Sequence, residues 1–341
     1  MATSDVKLAV VGAGYWGINH VRAFAKLPGC ALTVVCDPDE KARSKAKALA
    51  PSARLESSFE ALLLDPDVEA IVLATPVIDH ARQAQAALLA GKHVFVEKPM
   101  SLTSDDARLV VAAAEKAQRT LMVGHLMLYH PAFRRLVDMV RSGEIGRVYY
   151  LYALRVNLGR LRRDENALWS FAPHDLSMIL DLVPSAPMSV TARGEAYLQP
   201  GVEDVVFVNI AFADRTMAQI QLSWLDPRKE RRITVVGSKK MVEFDDAHPT
   251  EKLRIYDKGY DRPPEFTKYS EYLTVRQGDI HIPRVDGQEP LELQCRHFIE
   301  SIRSSTTPRT DGQSGLRVVE ILEAADRSLK SGGVPVALTH E

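Results

Sequence analysis

Short apolar runs alternate with helix-like stretches over the first 124 residues of this 341-residue chain. The runs contain almost no polar positions, and strands of that kind are buried on both faces, as in a parallel sheet covered by helices. The pattern therefore predicts a doubly wound α/β sheet as a first domain, residues 1–124. The predicted strands are Val6–Val11, Ala31–Cys36, Ala70–Ala74, His93–Val96 and Leu121–Val123.

The pattern changes after Gly124, where runs of strand type begin to alternate apolar and polar residues. Residues 218–224 (AQIQLSW) are an example, and they indicate a sheet with one packed and one exposed face. We expect an α+β second domain, residues 125–341, with a large, mainly antiparallel sheet and an irregular segment at 258–289. Helices are predicted at 131–142, 174–182, 291–301 and 316–329.

Length and charge narrow the functional classes. A chain of 341 residues exceeds what one hydrophobic core usually supports, so two domains are expected. The formal charge of −1 gives no field to attract nucleic acid, and no apolar run approaches the ~18 residues of a membrane span. The N-terminus shows no export signal, and three scattered cysteines favour a reducing cytoplasm over disulfides or a zinc site. We expect a cytoplasmic protein without a bound metal.

A glycine-rich loop follows the first predicted strand and opens a helix. In this context Gly12 permits a tight turn, Gly14 admits a pyrophosphate and Gly17 allows close helix–strand packing. Asp37 ends the second strand, where a carboxylate can bind the adenosine ribose and repel a ribose phosphate. The sequence therefore predicts a dinucleotide site that favours NAD over NADP, although Arg43 nearby keeps NADP open.

Lys98 lies in the triplet Glu97-Lys98-Pro99, directly after the strand that ends at Val96. Ligands bind at the carboxyl ends of strands in such sheets, and a lysine is rarely placed there unless it is paired or functional. Burial and a nicotinamide cation would lower its pKa into the range of a general acid or base. The alternative is a structural ion pair. Thr75 and Pro76 end the preceding strand, where a cofactor contact and a simple turn are equally compatible with the sequence.

These motifs, in this order, resemble the glucose–fructose oxidoreductase and inositol dehydrogenase family (Gfo/Idh/MocA). The resemblance rests on the glycine loop, the Ala74-Thr75-Pro76 segment and the segment 91–99, which ends in the Glu-Lys-Pro triplet. It implies a Rossmann domain that binds NAD(P), and an open-faced sheet domain that provides the substrate pocket and a homodimer or homotetramer interface. It also implies that Lys98 and a histidine of the second domain act at an alcohol or carbonyl carbon.

The resemblance assigns that histidine to His174, which we expect to open a helix and to bind the reacting oxygen. A helix-capping histidine is the alternative. Many relatives carry aspartates four residues before and three residues after this position, where this chain has Ser170 and Ser177, with Asp175 adjacent to the histidine. The departure favours Lys98 as the acid–base group and argues against inositol dehydrogenase activity.

An arginine-rich segment at 155–166 precedes His174 and suits an anionic, polyhydroxylated substrate, because guanidinium groups bind carboxylates and phosphates in pairs. It resembles family members that oxidise the 3-hydroxyl of UDP-N-acetylglucosaminuronate, whereas a solvated loop is the alternative. The residues predicted to bind substrate are Lys98, Arg155, Asn157, Arg160, Trp169 and His174. The residues predicted to bind the cofactor are Gly12, Gly14, Tyr15, Trp16, Gly17, Asp37, Thr75, Pro76, His80, Glu97, Lys98 and His125.

The sequence thus predicts an NAD-dependent oxidoreductase acting on C3 of a nucleotide-linked sugar. Three alternatives stay open: an NADPH-dependent 3-ketosugar reductase of deoxysugar biosynthesis, an NAD-dependent glycosidase, and a non-catalytic NAD(H) sensor. The expected partners are a small-molecule sugar and further copies of the same chain.

Overall fold

The computed structural model describes residues 5–159, 165–261 and 274–338. The chain forms two compact units, one of Met1–Tyr129 with Gln288–Glu320 and the other of His130–Gly287 with Ile321–Glu341. The division therefore differs from a single boundary after residue 124, since a segment near the C-terminus joins the first unit.

A six-stranded parallel sheet forms the centre of the first unit, as the apolar runs predict. Its spatial order is β3-β2-β1-β4-β5-β6, and every adjacent pair of strands is parallel. The strands are β1 (Val6–Val11), β2 (Cys30–Cys36), β3 (Arg54–Glu56), β4 (Ala70–Leu73), β5 (His93–Val96) and β6 (Leu121–Val123).

Side-chain caps begin several of the helices. For example, the Thr103 side chain accepts a hydrogen bond from the Asp106 backbone N–H and so begins α5. The helices are α1 (Gly17–Phe24), α2 (Glu40–Leu49), α3 (Phe59–Leu64), α4 (Val77–Leu89), α5 (Ser104–Ala117), α6 (Pro131–Arg141), α7 (Ala167–Leu182), α8 (Pro290–Ser304) and α9 (Gly312–Lys330). Helix α8 joins the first unit because it packs against α1 and against a 3-10 helix at Leu126–Tyr129.

Strands β1 and β4 are neighbours. From β1 the following strands are added toward one edge of the sheet, and from β4 they are added toward the other edge. The carboxyl ends of β1 and β4 therefore bound the crevice in which doubly wound sheets bind ligands. Strand β4 is fully covered, since all four of its residues are buried. Because β1 and β5 are parallel, the glycine loop after β1 and the Glu-Lys-Pro triplet after β5 both lie where the carboxyl ends of the strands meet.

The outer strand β6 pairs with residues 310–311 of the C-terminal segment that belongs to the first unit. The Val123 backbone N–H donates to the Thr310 carbonyl at 2.7 Å, and Met122 forms an antiparallel bridge with Asp311. A free sheet edge would present unpaired backbone groups. Residues 310–311 occupy part of that edge.

The second unit is built on a nine-stranded mixed sheet. Its order is β16-β13-β12-β11-β7-β10-β9-β8-β17, in which β7 and β10 are parallel and the other pairs are antiparallel. Strands β14 and β15 form a separate pair. The strands are β7 (Val148–Val156), β8 (Pro187–Glu195), β9 (Val205–Phe212), β10 (Met217–Ser223), β11 (Glu230–Gly237), β12 (Met241–Asp245), β13 (Leu253–Tyr256), β14 (Gly259–Asp261), β15 (Thr274–Arg276), β16 (Ile280–His281) and β17 (Val336–Ala337).

Alternation along these strands separates a covered face from an open one. Ala218, Ile220 and Leu222 of β10 are buried, and helix α7 packs on the sheet there. Met217 of β10 and Phe207 of β9 lie at the alternate positions and are exposed. The predicted mainly antiparallel sheet with one packed face is thus confirmed.

Three local predictions are wrong. Strand β3 and helix α3 were not predicted, and helix α7 begins at Ala167 instead of at residue 174. The segment 258–289, expected to be irregular, contributes β14, β15 and β16 in its described parts. Across the described ranges, we find no helix with the length and apolar character that crossing a membrane would require.

Candidate active site

The glycine loop after β1 has the backbone geometry that a dinucleotide site needs. Gly12 has φ +86°, and a Cβ there would lie 2.6 Å from the carbonyl oxygen of Ala74 at the end of β4. A Cβ on Gly17 would collide with the carbonyl of Gly12. Only glycine fits either position.

Gly14 differs from the other two glycines, since a Cβ there would meet no described atom within 4 Å. It faces open space beside the start of α1, whose first turn contains no acidic residue. A helix N-terminus with room for a close approach suits a pyrophosphate. Tyr15 and Trp16 complete the loop, with Tyr15 90% exposed. The loop therefore fits the dinucleotide that the sequence predicts.

The Asp37 carboxylate holds the glycine loop at the end of β2 by hydrogen bonds. Oδ2 accepts the Ala13 backbone N–H at 2.7 Å, and Oδ1 accepts that of Asp39 at 2.8 Å. Each carboxylate oxygen can accept more than one hydrogen bond, so capacity for ribose hydroxyls remains. Arg43 donates to the backbone carbonyls of Asp37 and Pro38 at 2.6 and 2.9 Å, which holds its guanidinium at the turn.

The Glu97 side chain is enclosed at the end of β5. Its Oε1 accepts the Trp16 indole N–H at 2.6 Å and contacts His20 Nε2 at 2.7 Å, while Oε2 accepts the Lys98 backbone N–H at 3.1 Å. Burial raises the pKa of Glu97, but His20, the Trp16 indole and the Lys98 charge outweigh burial and hold it below the ordinary value. A buried carboxylate thus connects the glycine loop to the lysine.

Lys98 itself is half-buried at the carboxyl end of β5, and the Lys98–Pro99 peptide bond is cis. The carbonyl of Pro99 lies 2.8 Å from His80 Nδ1, and the carbonyl of Thr75 lies 2.8 Å from His80 Nε2. The Thr75 hydroxyl donates to Gln83 at 2.7 Å, while Pro76 directly precedes α4. These residues gather at the ends of β4 and β5.

His125 follows β6 and is 1% exposed. Among the described residues, neither of its ring nitrogens has a hydrogen-bond partner. Burial, aided by the Lys98 charge, outweighs the opposing effect of the Glu97 charge and lowers the pKa of His125 to about 4, so the ring is neutral at pH 7. Buried polar groups are normally paired, so His125 has one donor and one acceptor available to a ligand.

In the second unit, Arg155 forms a buried ion pair with Asp175. Its Nε donates to Oδ2 at 2.6 Å and its Nη2 donates to Oδ1 at 3.1 Å, and the two residues are 5% and 1% exposed. Two of the guanidinium donors are therefore committed to a neighbour of His174. From the sequence, Asp175 was only a departure from the family pattern, because its partner Arg155 is 20 residues away.

His174 lies inside α7, so the expectation that it opens a helix is wrong. The Asn166 side chain caps α7 by accepting the Trp169 backbone N–H at 3.2 Å, and Pro173 lies within the helix. A proline usually marks the first helical turn, which is why the sequence indicated a later start. His174 is half-buried, and its carbonyl accepts the Ser177 hydroxyl at 2.8 Å.

The other residues predicted to bind substrate have different surroundings. The backbone N–H of Asn157 donates to the Ser223 carbonyl at 3.1 Å, just beyond the end of β7. Trp169 is half-buried in the first turn of α7. Arg160 lies outside the described residues.

His20 is a site residue whose contact the sequence analysis missed. It lies four residues after Trp16, and residues at this spacing share a helix face. That spacing was the available signal, although the shared acceptor, Glu97, is 77 residues farther along the chain. Across the described ranges no cluster of acidic, histidine or cysteine side chains could hold a metal ion.

Two protein-family models match this chain. A family model described as an oxidoreductase family with an NAD-binding Rossmann fold matches residues 6–125, and the GFO/IDH/MocA C-terminal domain model matches residues 133–243.

Three relatives illustrate the similarity. A protein of Magnetospirillum magnetotacticum MS-1 assigned as an oxidoreductase is 33% identical, covering 94% of this chain and 100% of its own, with a TM-score of 0.80. GenD2 from gentamicin A biosynthesis, in complex with NAD, is 25% identical over 100% of this chain and 98% of its own, with a TM-score of 0.83. UDP-N-acetylglucosamine 3-dehydrogenase of Acidithiobacillus ferrooxidans is 26% identical over 92% of this chain and 94% of its own.

Proposed function

The chain belongs to the Gfo/Idh/MocA family of NAD-binding oxidoreductases, and from that premise we propose that it oxidises C3 of a nucleotide-linked sugar such as UDP-N-acetylglucosaminuronate. The observation that carries the proposal is Lys98, half-buried at the same sheet edge as the glycine loop. The name of the Acidithiobacillus relative supports the choice of C3.

NAD would occupy the carboxyl edge of the first sheet. The N-terminus of α1, opened by Gly14, would receive the pyrophosphate, and the Asp37 carboxylate would accept the ribose hydroxyls. A phosphate on that ribose would meet the Asp37 charge, so we propose NAD in preference to NADP. We assign further cofactor contacts to Tyr15, Trp16, Thr75, Pro76, His80, Glu97 and His125. Bound NAD would supply the hydride acceptor.

Lys98 is the proposed acid–base group. In oxidation its Nζ takes the proton of the reacting hydroxyl as the carbon loses a hydride, and in reduction it returns that proton to the oxygen. We assign to His174 a hydrogen bond to the same oxygen. Asn157 and Trp169 are the proposed sugar contacts, whereas Arg155 contributes by holding Asp175 beside His174.

We also propose that the protein is a homodimer or homotetramer that forms through the open sheet face. Tyr150, Phe207 and Met217 are exposed there on adjacent strands, and apolar residues at these positions suit a self-complementary contact. The three cysteines are free thiols, as expected in the reducing cytoplasm where we place the enzyme.

The test is the Lys98→Met variant, with Lys116→Met on the exposed side of α5 as a control. We expect Lys98→Met to lose turnover by roughly 1,000-fold or more while it still binds NAD, because proton transfer contributes about 100- to 10,000-fold. The control should keep the wild-type rate. A Lys98→Met enzyme with wild-type turnover would overturn the mechanism.

Substrate identity is tested separately. Nucleotide sugars are screened by thermal shift with NADH present, because a ligand that binds the folded state stabilises it. Each ligand is then assayed in both directions with NAD(H) and NADP(H). Net NADH formation with a UDP-linked uronate supports the proposal. Faster reduction of a 3-ketosugar with NADPH, or release of an aglycone without net NADH change, identifies the alternative enzymes.

A further inference from the structure

We propose that two buried histidines, His20 and His80, position Lys98 from its two sides. His20 acts through the Glu97 side chain, which holds the Lys98 backbone N–H, and His80 acts through the carbonyl of Pro99. The inference rests on the proposed function in one respect only, that Lys98 is the acid–base group.

The first side is built from two donors on one helix face. His20 Nε2 and the Trp16 indole nitrogen converge on the same oxygen of Glu97, at 2.7 and 2.6 Å. The other oxygen of the same carboxylate accepts the Lys98 N–H. Because a Cβ on Gly124 would lie 2.8 Å from Glu97 Oε2, the carboxylate is also confined from that direction. Any shift of the carboxylate therefore shifts the backbone at Lys98.

The surroundings of His20 determine which ring nitrogen carries the proton. Its Nδ1 lies 4.0 Å from the Sγ of Cys295, and burial raises the pKa of that thiol well above its ordinary value, so the sulfur keeps its proton. A thiol facing Nδ1 can donate to it, which leaves Nε2 as the donor to Glu97. The rings of Phe24 and Phe95, with centroids 6.1 and 5.1 Å from that of His20, fix its plane.

On the second side of Lys98, His80 faces hydrogen-bond acceptors only. Both nitrogens of His80 face backbone carbonyl oxygens at 2.8 Å, those of Thr75 and Pro99, and a carbonyl can only accept. A neutral imidazole has one N–H and makes one of the two bonds, whereas the imidazolium makes both. Burial lowers the pKa of His80, while the two carbonyls and the Glu97 charge oppose burial and the Lys98 charge adds to it.

The two histidines therefore connect Lys98 to both segments that border the crevice. Through Glu97 the lysine is connected to Trp16 in the glycine loop, and through His80 it is connected to Thr75 at the end of β4. We expect loss of either histidine to change the pH dependence of catalysis, which follows the lysine, and not only the stability of the protein.

The experiment compares His20→Leu, His20→Gln and His80→Leu in the full-length protein. His93 provides the control, because it is also a partly buried histidine on β5 and its Nδ1 accepts the Thr120 N–H at 3.0 Å at the opposite end of that strand. We measure kcat/KM against pH, NAD dissociation constants and thermal unfolding. Both leucine variants should lose roughly 10- to 100-fold in kcat/KM, with a displaced pH midpoint, because His20→Leu removes the hydrogen bond to the Glu97 carboxylate and His80→Leu removes the one to the Pro99 carbonyl.

His20→Gln retains an N–H near the position of Nε2 and should recover most of that loss. His93→Leu should change only the unfolding temperature. Wild-type pH profiles in both leucine variants would overturn the inference even where Lys98→Met is inactive, whereas an active Lys98→Met enzyme would overturn the proposed function itself.

A measurement on the wild-type protein covers the case in which a leucine variant does not fold. Histidine side-chain 15N NMR spectra report which ring nitrogens carry protons. We expect His20 to carry its proton on Nε2, and His80 to gain a second ring proton as the pH falls while the fold persists. A His20 proton on Nδ1 alone, or a His80 proton on Nε2 alone, would contradict the two positioning contacts.

Discussion

His125→Phe should make the protein more stable and NAD binding weaker. Among the described residues the imidazole has no hydrogen-bond partner although it is 1% exposed, so folding removes both nitrogens from water without replacement. Phenylalanine keeps a ring of similar shape and has no polar atoms to desolvate. Burying an unpaired polar group costs about 1–3 kcal/mol, and the variant should recover this amount of unfolding free energy at neutral pH.

The pH dependence provides a second magnitude. Burial lowers the pKa of His125 from 6.5 to about 4. Between these two pH values His125 is protonated in the unfolded chain but not in the folded protein. The contribution of His125 to the free energy of unfolding is therefore highest above pH 6.5 and declines as the pH falls below that value. At 1.36 kcal/mol per pKa unit the full decline is about 3 kcal/mol, of which roughly 2 kcal/mol has been lost by about pH 5.

Urea unfolding of both proteins at pH 7.5 and at about pH 5 is the assay, together with fluorescence titration of NAD at pH 7.5. The stability difference in favour of His125→Phe should widen by roughly 2 kcal/mol at the lower pH, because the other histidines contribute equally to both proteins. A less stable variant, or parallel pH curves, would refute the reasoning. Unchanged NAD affinity would remove His125 from the proposed cofactor contacts without affecting the stability argument.

Four further predictions concern the remaining site residues. Gly12→Ala should destabilise the first unit by about 1–3 kcal/mol in thermal unfolding, because of its positive φ and the nearby carbonyl. Gly14→Ala should leave stability unchanged and weaken NAD binding in a titration. Arg155→Met should cost about 3–5 kcal/mol of unfolding free energy by leaving Asp175 buried and unpaired, and a second change, Asp175→Leu, should restore most of it; additive losses would contradict this. Asp37→Ser should raise the kcat/KM with NADP relative to that with NAD by at least about 10-fold. An unchanged ratio would show that Asp37 serves only to hold the glycine loop by hydrogen bonds.

The sequence predicted the elements whose signal is local. The parallel strands of the first unit are continuous apolar runs because they are buried on both faces. The glycine loop was recognisable because its three glycines are closely spaced between a strand and a helix. Strand β3 escaped notice because it is a three-residue strand at the sheet edge with one apolar residue, Leu55. The start of α7 was predicted too late, because Pro173 indicated a first helical turn although the cap is at Asn166.

The candidate site was predictable in its residue types but not in its pairings. Lys98 and Asp37 follow strands, and topology alone places them at one edge. The contacts within each unit join residues distant in sequence, as between His20 and Glu97 in the first unit or between Arg155 and Asp175 in the second. Periodicity carries no information on such pairs, so they required the folded structure.

The return of residues Gln288–Glu320 to the first unit has a consequence for how the protein is made. During synthesis domains generally fold from the N-terminus as they emerge. Here the chain after Tyr129 leaves the first unit, and the pairing of β6 with Thr310 and Asp311 forms only after more than half of the protein has been added. Until then one edge of the parallel sheet and the surface that receives α8 are open to wrong partners. The nucleotide-binding unit, first to be synthesised, is therefore among the last to be completed, and slow or interrupted translation should expose it to chaperones and aggregation.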